Sequence, residues 1–153
     1  NIIRLTCRNP NNEGKGEISI DSLIRASLRM RPERIIVGEI RGKEALYMLQ
    51  AMNTGHIGSI STGHANSCKD AFSRIETMVL MECDMPFLAI RKQIYDAIDI
   101  IISLQRIDGK RVLTEIVQVT EFEDGEIKTE CLFTYDIESG KHIKVGEATR
   151  RRK

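Results

Sequence analysis

Five residues limit the architectures open to this chain more than any others. Arg34-Ile35-Ile36-Val37-Gly38 is short, apolar and β-branched, and it does not alternate. Such a run suits a strand buried on both faces, as in a parallel sheet covered by helices. Its surroundings agree. Upstream, Asp21 is placed to cap a helix whose Leu23, Ile24, Ser27 and Leu28 recur at helical spacing, and Pro32 should end it. Downstream, Ala45, Leu46, Leu49 and Met52 mark a helix over 43–53, with Gly55 at its C′ position. Gly58-Ser59-Ile60-Ser61-Thr62 reads as a second short strand. Asn66 or Ser67 can cap a helix carrying Ala71, Phe72, Ile75 and Val79. Pro86 suits the first turn of another, with Phe87, Ile90, Ile94 and Ala97. Strands and helices alternating from residue 20 to about 105 predict an α/β layer with a largely parallel sheet.

The punctuation then changes. Ile98 to Arg106 reads as a strand, and Asp108-Gly109, Asp124-Gly125 and the weaker Ser139-Gly140 are hairpin signals. Between them the chain is rich in β-branched and aromatic residues, which predicts an antiparallel β meander. The division expected is 1–106 for the α/β part and 107–153 for the meander, ending in the basic tip Arg150-Arg151-Arg152-Lys153, read as a solvated terminus. At the other end, Asn9 to Gly16 is a loop of turn formers. The chain starts at Asn1 and runs at once into Ile2-Ile3-Arg4-Leu5, an apolar strand without a leader pattern. That start is expected of a segment cut from something longer.

Composition excludes several classes. Lys and Arg number 23 against 22 Asp and Glu, so the formal charge is +1, unlike a basic nucleic-acid wrapper or an acidic tail. No apolar run approaches the roughly 18 residues of a membrane span. Cys7, Cys68, Cys83 and Cys131 form no CxxC pair and no zinc spacing with His, and they read as reduced thiols of a cytosolic protein.

Three groups of residues could carry chemistry. Glu39 follows the apolar strand, and a carboxylate at the end of a buried strand is the logic of a Walker B element. It can hold Mg²⁺ through water or orient an attacking water, and Gly38 lets a phosphate or backbone approach. His56 and His64 flank the second strand at glycine-rich turns, and His64 can donate to a phosphate oxygen or position a water. Arg25, Arg29, Arg31, Arg34 and Arg41 bracket Glu39 and are planar donors suited to phosphate. Solvated helix faces and local ion pairs are the alternative use of these side chains. No GxxxxGK[ST] loop occurs: Gly14-Lys15-Gly16 lacks its upstream glycine and hydroxyl, and Gly38 to Gly42-Lys43 is one residue short. HExxH and EF-hand patterns are also absent.

Arg25-Ala-Ser-Leu-Arg29-Met-Arg-Pro32-Glu-Arg34-Ile-Ile-Val-Gly38-Glu39-Ile-Arg41-Gly42, followed by Ala51-Met-Asn-Thr-Gly55-His56-Ile-Gly58-Ser-Ile-Ser-Thr62-Gly-His64-Ala-Asn66, resembles the type II/type IV secretion ATPases. The loop Pro10-Asn-Asn-Glu-Gly14-Lys-Gly16-Glu17 and the segment Arg74-Ile-Glu76-Thr-Met78 are most similar to the CpaF-like branch, which drives tight-adherence (Flp) pilus assembly. The likeness covers roughly residues 1 to 120. It implies part of a RecA-like P-loop nucleotide-binding domain, here without its Walker A half, working in a homohexameric ring. It implies ATP and Mg²⁺ as ligands, with Glu39 as the Walker B acid near Mg²⁺, and His64 and His56 as the two His-box residues. Gly38, Arg41 and Arg29 are placed in the nucleotide neighbourhood. Gly63 departs from a larger residue in many relatives.

The implied role is export of pilins or proteins from the cytoplasmic face of the inner membrane, through contact with a membrane platform protein and without nucleic acid as a partner. Two alternatives stand beside it: a non-catalytic assembly or regulatory fragment, and a relative of the conjugation-type (type IV secretion) ATPases. Without a phosphate loop, the chain alone is expected to be inactive. Removal of the P-loop strand and its helix is expected to expose a sheet edge and an apolar helix seat, and dimerisation or aggregation is expected through that scar.

Overall fold

The computed structural model describes residues 1–149; the basic tip lies outside the described residues. The chain forms two compact units, residues 1–63 with 77–84, and residues 64–76 with 85 onward.

In the first unit, Arg8 and Ile18 form a single antiparallel bridge that closes the expected loop. Asn11 Oδ1 accepts from the N–H groups of Glu13 and Lys15 within it. The strand expected at Ile2–Leu5 does not form; Ile2 and Ile3 are exposed, and among the described residues no strand pairs with them. Helix α1 spans Ile20–Leu28, with Ser19, not Asp21, at the N-cap. It ends before Pro32 as expected, and Arg31 takes a left-handed φ of 53° in the turn.

Strand β1 is Ile36–Val37, α2 is Glu44–Asn53 and β2 is Ile60–Ser61. β1 and β2 pair in parallel, Ile36 beside Ile60 and Val37 beside Ser61. The pairing continues past both ends, through Ile60 N–H to Ile35 O (3.0 Å) and Ile40 N–H to Thr62 O (2.8 Å). Ile35, Val37 and Ile40 are buried with Ile24, Leu46, Met48 and Leu49. Ile36 is 74 % exposed and Ile60 57 %. This corrects the expectation of a strand covered on both faces. Successive side chains of a strand fall on opposite faces, and among the described residues the Val37 face is buried while the Ile36 and Ile60 side is open. Gly55 ends α2 with φ 94°, as its C′ position requires.

In the second unit, Ser67 Oγ accepts from Asp70 N–H at the start of α3 (Cys68–Leu80). Its Phe72 and Ile75 are buried. Helix α4 is Phe87–Ala97, and Pro86 stands just ahead of it as the N-cap. Ile90 and Ile94 are fully buried. Phe87 was expected on that stripe; it is half exposed and lies under the Arg91 guanidinium at 4.4 Å. Arg91 Nε also donates to the buried Glu76 (2.9 Å), and its Nη1 to Glu126 (2.5 Å) and Gly125 O (3.1 Å). One guanidinium thus ties α3, α4 and a hairpin together.

The meander forms as read. Strands β3 (Ile100–Ile107), β4 (Lys110–Glu123), β5 (Glu126–Asp136) and β6 (Lys141–Lys144) make one antiparallel sheet in that order. Asp108-Gly109 and Asp124-Gly125 have positive φ at both positions (48° and 78°, 52° and 78°), the two-residue turn that matches strand twist. Beyond β6 the chain returns to the sheet. Gln118, buried in β4, donates to Glu130 and to Glu147 O and accepts from Thr149 N–H.

Candidate functional site

β1 ends at Val37, and the next three residues run on beside the end of β2. Their geometry is held from β2. Thr62 Oγ1 donates to Gly38 O at 2.5 Å, and Ile40 N–H bonds Thr62 O. Ile40 packs into the core and anchors the segment, leaving Glu39 between two fixed points. The Glu39 carboxylate pairs with Arg41 at 2.6 Å, and it is partly buried (28 % exposed) while Arg41 is 74 % exposed. The hydrogen bond to Glu39 raises the Arg41 pKa further above its ordinary value. The backbone N–H groups of Arg41 and Gly42 both donate to Glu44 Oε1, at 2.5 and 3.0 Å. Glu44 opens α2, so the helix start and the Glu39 turn share one carboxylate clamp.

Of the sequence-derived candidates, the structure brings Gly38, Glu39 and Arg41 together. His56 stays within the same unit, at the C-terminal end of α2. Its Nδ1 meets Ala51 O at 3.0 Å, and a carbonyl only accepts, so Nδ1 carries the proton there and Nε2 faces elsewhere. Ser59 N–H and Oγ both donate to His56 O, and Ser59 Oγ accepts from Ile35 N–H, which links the His56 turn to β1. Arg29 is the exposed C-cap of α1 and is not in the Glu39 pair. His64 is exposed, four residues ahead of α3, and is the first residue of the second unit.

Arg25 serves packing. It bonds Asp21 at 3.1 Å and lies 5.0 Å from the Tyr47 ring centroid, while Tyr47 OH donates to Glu82 at 2.6 Å. Arg34 runs alongside Gly58, where a Cβ would lie 3.1 Å from its Nε. Thr62 and Glu44 were not singled out from sequence. Thr62 lies inside the quoted Ser/Gly-rich segment, and Glu44 sits at the position of a first-turn acid; those were the available signals.

A single half-buried carboxylate at the C-terminal end of a parallel strand suits a hard cation that keeps most of its waters, which is how Mg²⁺ is usually held. Among the described residues no group of three or more His, Cys, Asp or Glu could form an all-protein metal cage. A lone carboxylate of this kind would share a cation with other oxygen donors rather than enclose it.

Glu39 thus stands just past the carboxyl end of a parallel strand, with the start of α2 beside it. The family described as "Type II/IV secretion system protein" matches residues 1–147, and the chain belongs to it. It is 37 % identical to a putative conjugal transfer protein of Mycobacterium tuberculosis over 123 residues, 80 % of this chain and 35 % of that protein. It is 35 % identical to the type IV secretion system protein PtlH of Bordetella pertussis, covering 82 % of this chain and 38 % of the relative. Among solved structures it is similar to the VirB11 ATPase of the Brucella suis type IV secretion system, crystallised with sulphate. That match has a TM-score of 0.61 and 32 % identity, over 65 % of this chain and 31 % of that one. The chain spans about a third of the length of these relatives. Among the described residues no helix is long and apolar enough to cross a membrane.

Proposed function

We propose that this chain is the Walker B and His-box part of a RecA-like secretion ATPase, and that Glu39 is the acid that serves nucleotide hydrolysis. The observation that carries this reading is the Glu39–Arg41 pair, set at the end of β1 and fixed by Thr62 and Glu44. When bound with ATP, Mg²⁺ would neutralise charge on the phosphates. Glu39 would hold a water of the Mg²⁺ shell or orient the attacking water. Arg41 keeps the carboxylate aimed and offers its exposed guanidinium to phosphate. His64 donates to the γ-phosphate region. His56 uses Nδ1 to cap α2, which leaves Nε2 for any ligand contact. Arg29 and Gly38 belong to the same neighbourhood, the glycine by leaving room for a close approach.

The work coupled to hydrolysis is export through a membrane apparatus, by a homohexamer at the cytoplasmic face of the inner membrane that acts on a platform protein. The CpaF-like boxes favour pilin export. The conjugal-transfer and PtlH relatives favour a type IV secretion machine equally well. Because the sequence carries no phosphate loop, the 153-residue chain alone is expected to show no Mg-ATP turnover. A steady-state phosphate-release assay on the purified chain checks this. Turnover that survives extensive purification contradicts the division of labour.

A further inference from the structure

The buried residues at the end of β1 form an irregular series. Ile35, Val37 and Ile40 are 8, 5 and 5 % exposed, and Ile36 between the first two is 74 % exposed. Side chains of one face recur every second residue, which explains the step from Ile35 to Val37 but not the step of three to Ile40. A regular strand would put Glu39, not Ile40, on the core face. The backbone shows where the extra residue enters. Ile36 stands opposite Ile60, Val37 opposite Ser61, and Ile60 N–H bonds Ile35 O. Parallel pairing repeats its bonds every two residues, so the same register would bring Glu39 N–H to Thr62 O. Thr62 O accepts from Ile40 N–H instead, at 2.8 Å. Gly38 and Glu39 thus carry a one-residue bulge, a feature that re-aims a side chain. Here it keeps Ile40 in the core and leaves the Glu39 carboxylate 28 % exposed beside Arg41.

A Cβ at Gly38 would meet nothing within 4 Å, so packing does not fix the bulged peptide. A hydrogen bond does: Thr62 Oγ1 donates to Gly38 O at 2.5 Å. One residue therefore grips both sides of Glu39. The Thr62 hydroxyl holds the carbonyl before it, and the Thr62 carbonyl holds the N–H after it. Thr62 is itself exposed, so its side chain adds little to the core. We propose that Thr62 is a positioning residue for Glu39, whose hydroxyl pins the bulge that turns the carboxylate from the core toward the strand end. The pinning is a property of this chain alone; its effect on turnover rests on the reading of Glu39 as the hydrolytic acid.

Thr62→Val removes the hydroxyl and keeps the β-branched shape, and Thr62→Ser keeps the hydroxyl. Amide hydrogen exchange at Ile40, followed by NMR on the 153-residue chain, reads the pinning without nucleotide. Thr62→Val is expected to speed that exchange about three- to tenfold, and Thr62→Ser to stay near the unaltered chain. In a protein of the relatives' full length that carries this segment, Thr62→Val is expected to lower kcat at least about tenfold, with ATP affinity nearly unchanged. Thr62→Ser should recover most of that loss. Added to Glu39→Gln, Thr62→Val should lower turnover little further, because it acts through the carboxylate. Unchanged Ile40 exchange in Thr62→Val overturns the pinning. Normal kcat in Thr62→Val, where Glu39→Gln has lost turnover, overturns the positioning role. So does a full further loss on top of Glu39→Gln, which would make Thr62 a ligand contact. If Glu39→Gln itself turns over normally, the hydrolytic reading of Glu39 falls and takes the kcat effect with it, while Ile40 exchange still decides the pinning.

Discussion

At the residue scale, the side chains that hold this fold are charged groups with several partners each. Arg91 is the clearest. Its guanidinium, 23 % exposed, serves Glu76, which is 7 % exposed, as well as Glu126, a backbone carbonyl and the Phe87 ring. Burying Glu76 without that partner leaves an uncompensated charge, so Arg91→Ala is expected to cost about 3–5 kcal/mol in a urea melt. Arg91→Met combined with Glu76→Gln should recover much of the loss, because the charge that needed pairing is gone. A double variant no better than Arg91→Ala would mean the arginine acts through packing alone. Sequence placed Glu76 inside a quoted motif and left Arg91 unmentioned, since spacing cannot show that residues fifteen apart on two helices meet. The same limit applied to Arg25. Its helical spacing suggested a basic face; the (i, i+4) pair with Asp21 is local to α1, and only the packing of α1 on α2 shows it against the Tyr47 ring. Glu39 was legible because a carboxylate at the end of a β-branched run is a local pattern. Its supports, Thr62 and Glu44, act across a strand pair and a helix start.

At the element scale, turn chemistry was the most readable feature. Both Asp-Gly hairpins were expected and both have left-handed φ at each position, because few other dipeptides tolerate that backbone. They differ in surroundings. A Cβ on Gly109 meets nothing within 4 Å, whereas one on Gly125 lies 3.0 Å from Leu88 Cδ1. Gly109→Ala should cost about 1–2 kcal/mol for the backbone alone. Gly125→Ala should cost more, since Leu88 at the start of α4 must also shift. Thermal melts of the two variants check the order, and equal costs would show that α4 gives way freely. β1 was misread as doubly covered because a non-alternating apolar run carries no record of what lies over each face. The returning C-terminal segment was also invisible in sequence. Gln118 reads as one polar residue in a β-branched strand, yet Glu130, Glu147 and Thr149 converge on it.

At the scale of the whole molecule, the alternation of strands and helices followed by a meander was legible, and the two compact units were not. The second unit takes in residues 64–76 ahead of the meander, and the first takes in 77–84, so α3 contributes to both. Chain order alone cannot announce an interleaved division of that kind. Membership of the type II/IV secretion family accounts for the two boxes, and about a third of a relative's length is what this chain spans. The central claim is that Glu39 serves hydrolysis and not nucleotide capture. Its most direct test pairs Glu39→Gln with the unaltered residue, in a protein of the relatives' full length that carries this segment. Equilibrium binding of ATP and steady-state Mg-ATP turnover are measured on both. The account predicts near-normal binding with turnover reduced at least about 100-fold, as expected when a group that positions the nucleophile is lost. Near-normal turnover in Glu39→Gln, with binding intact, would contradict it.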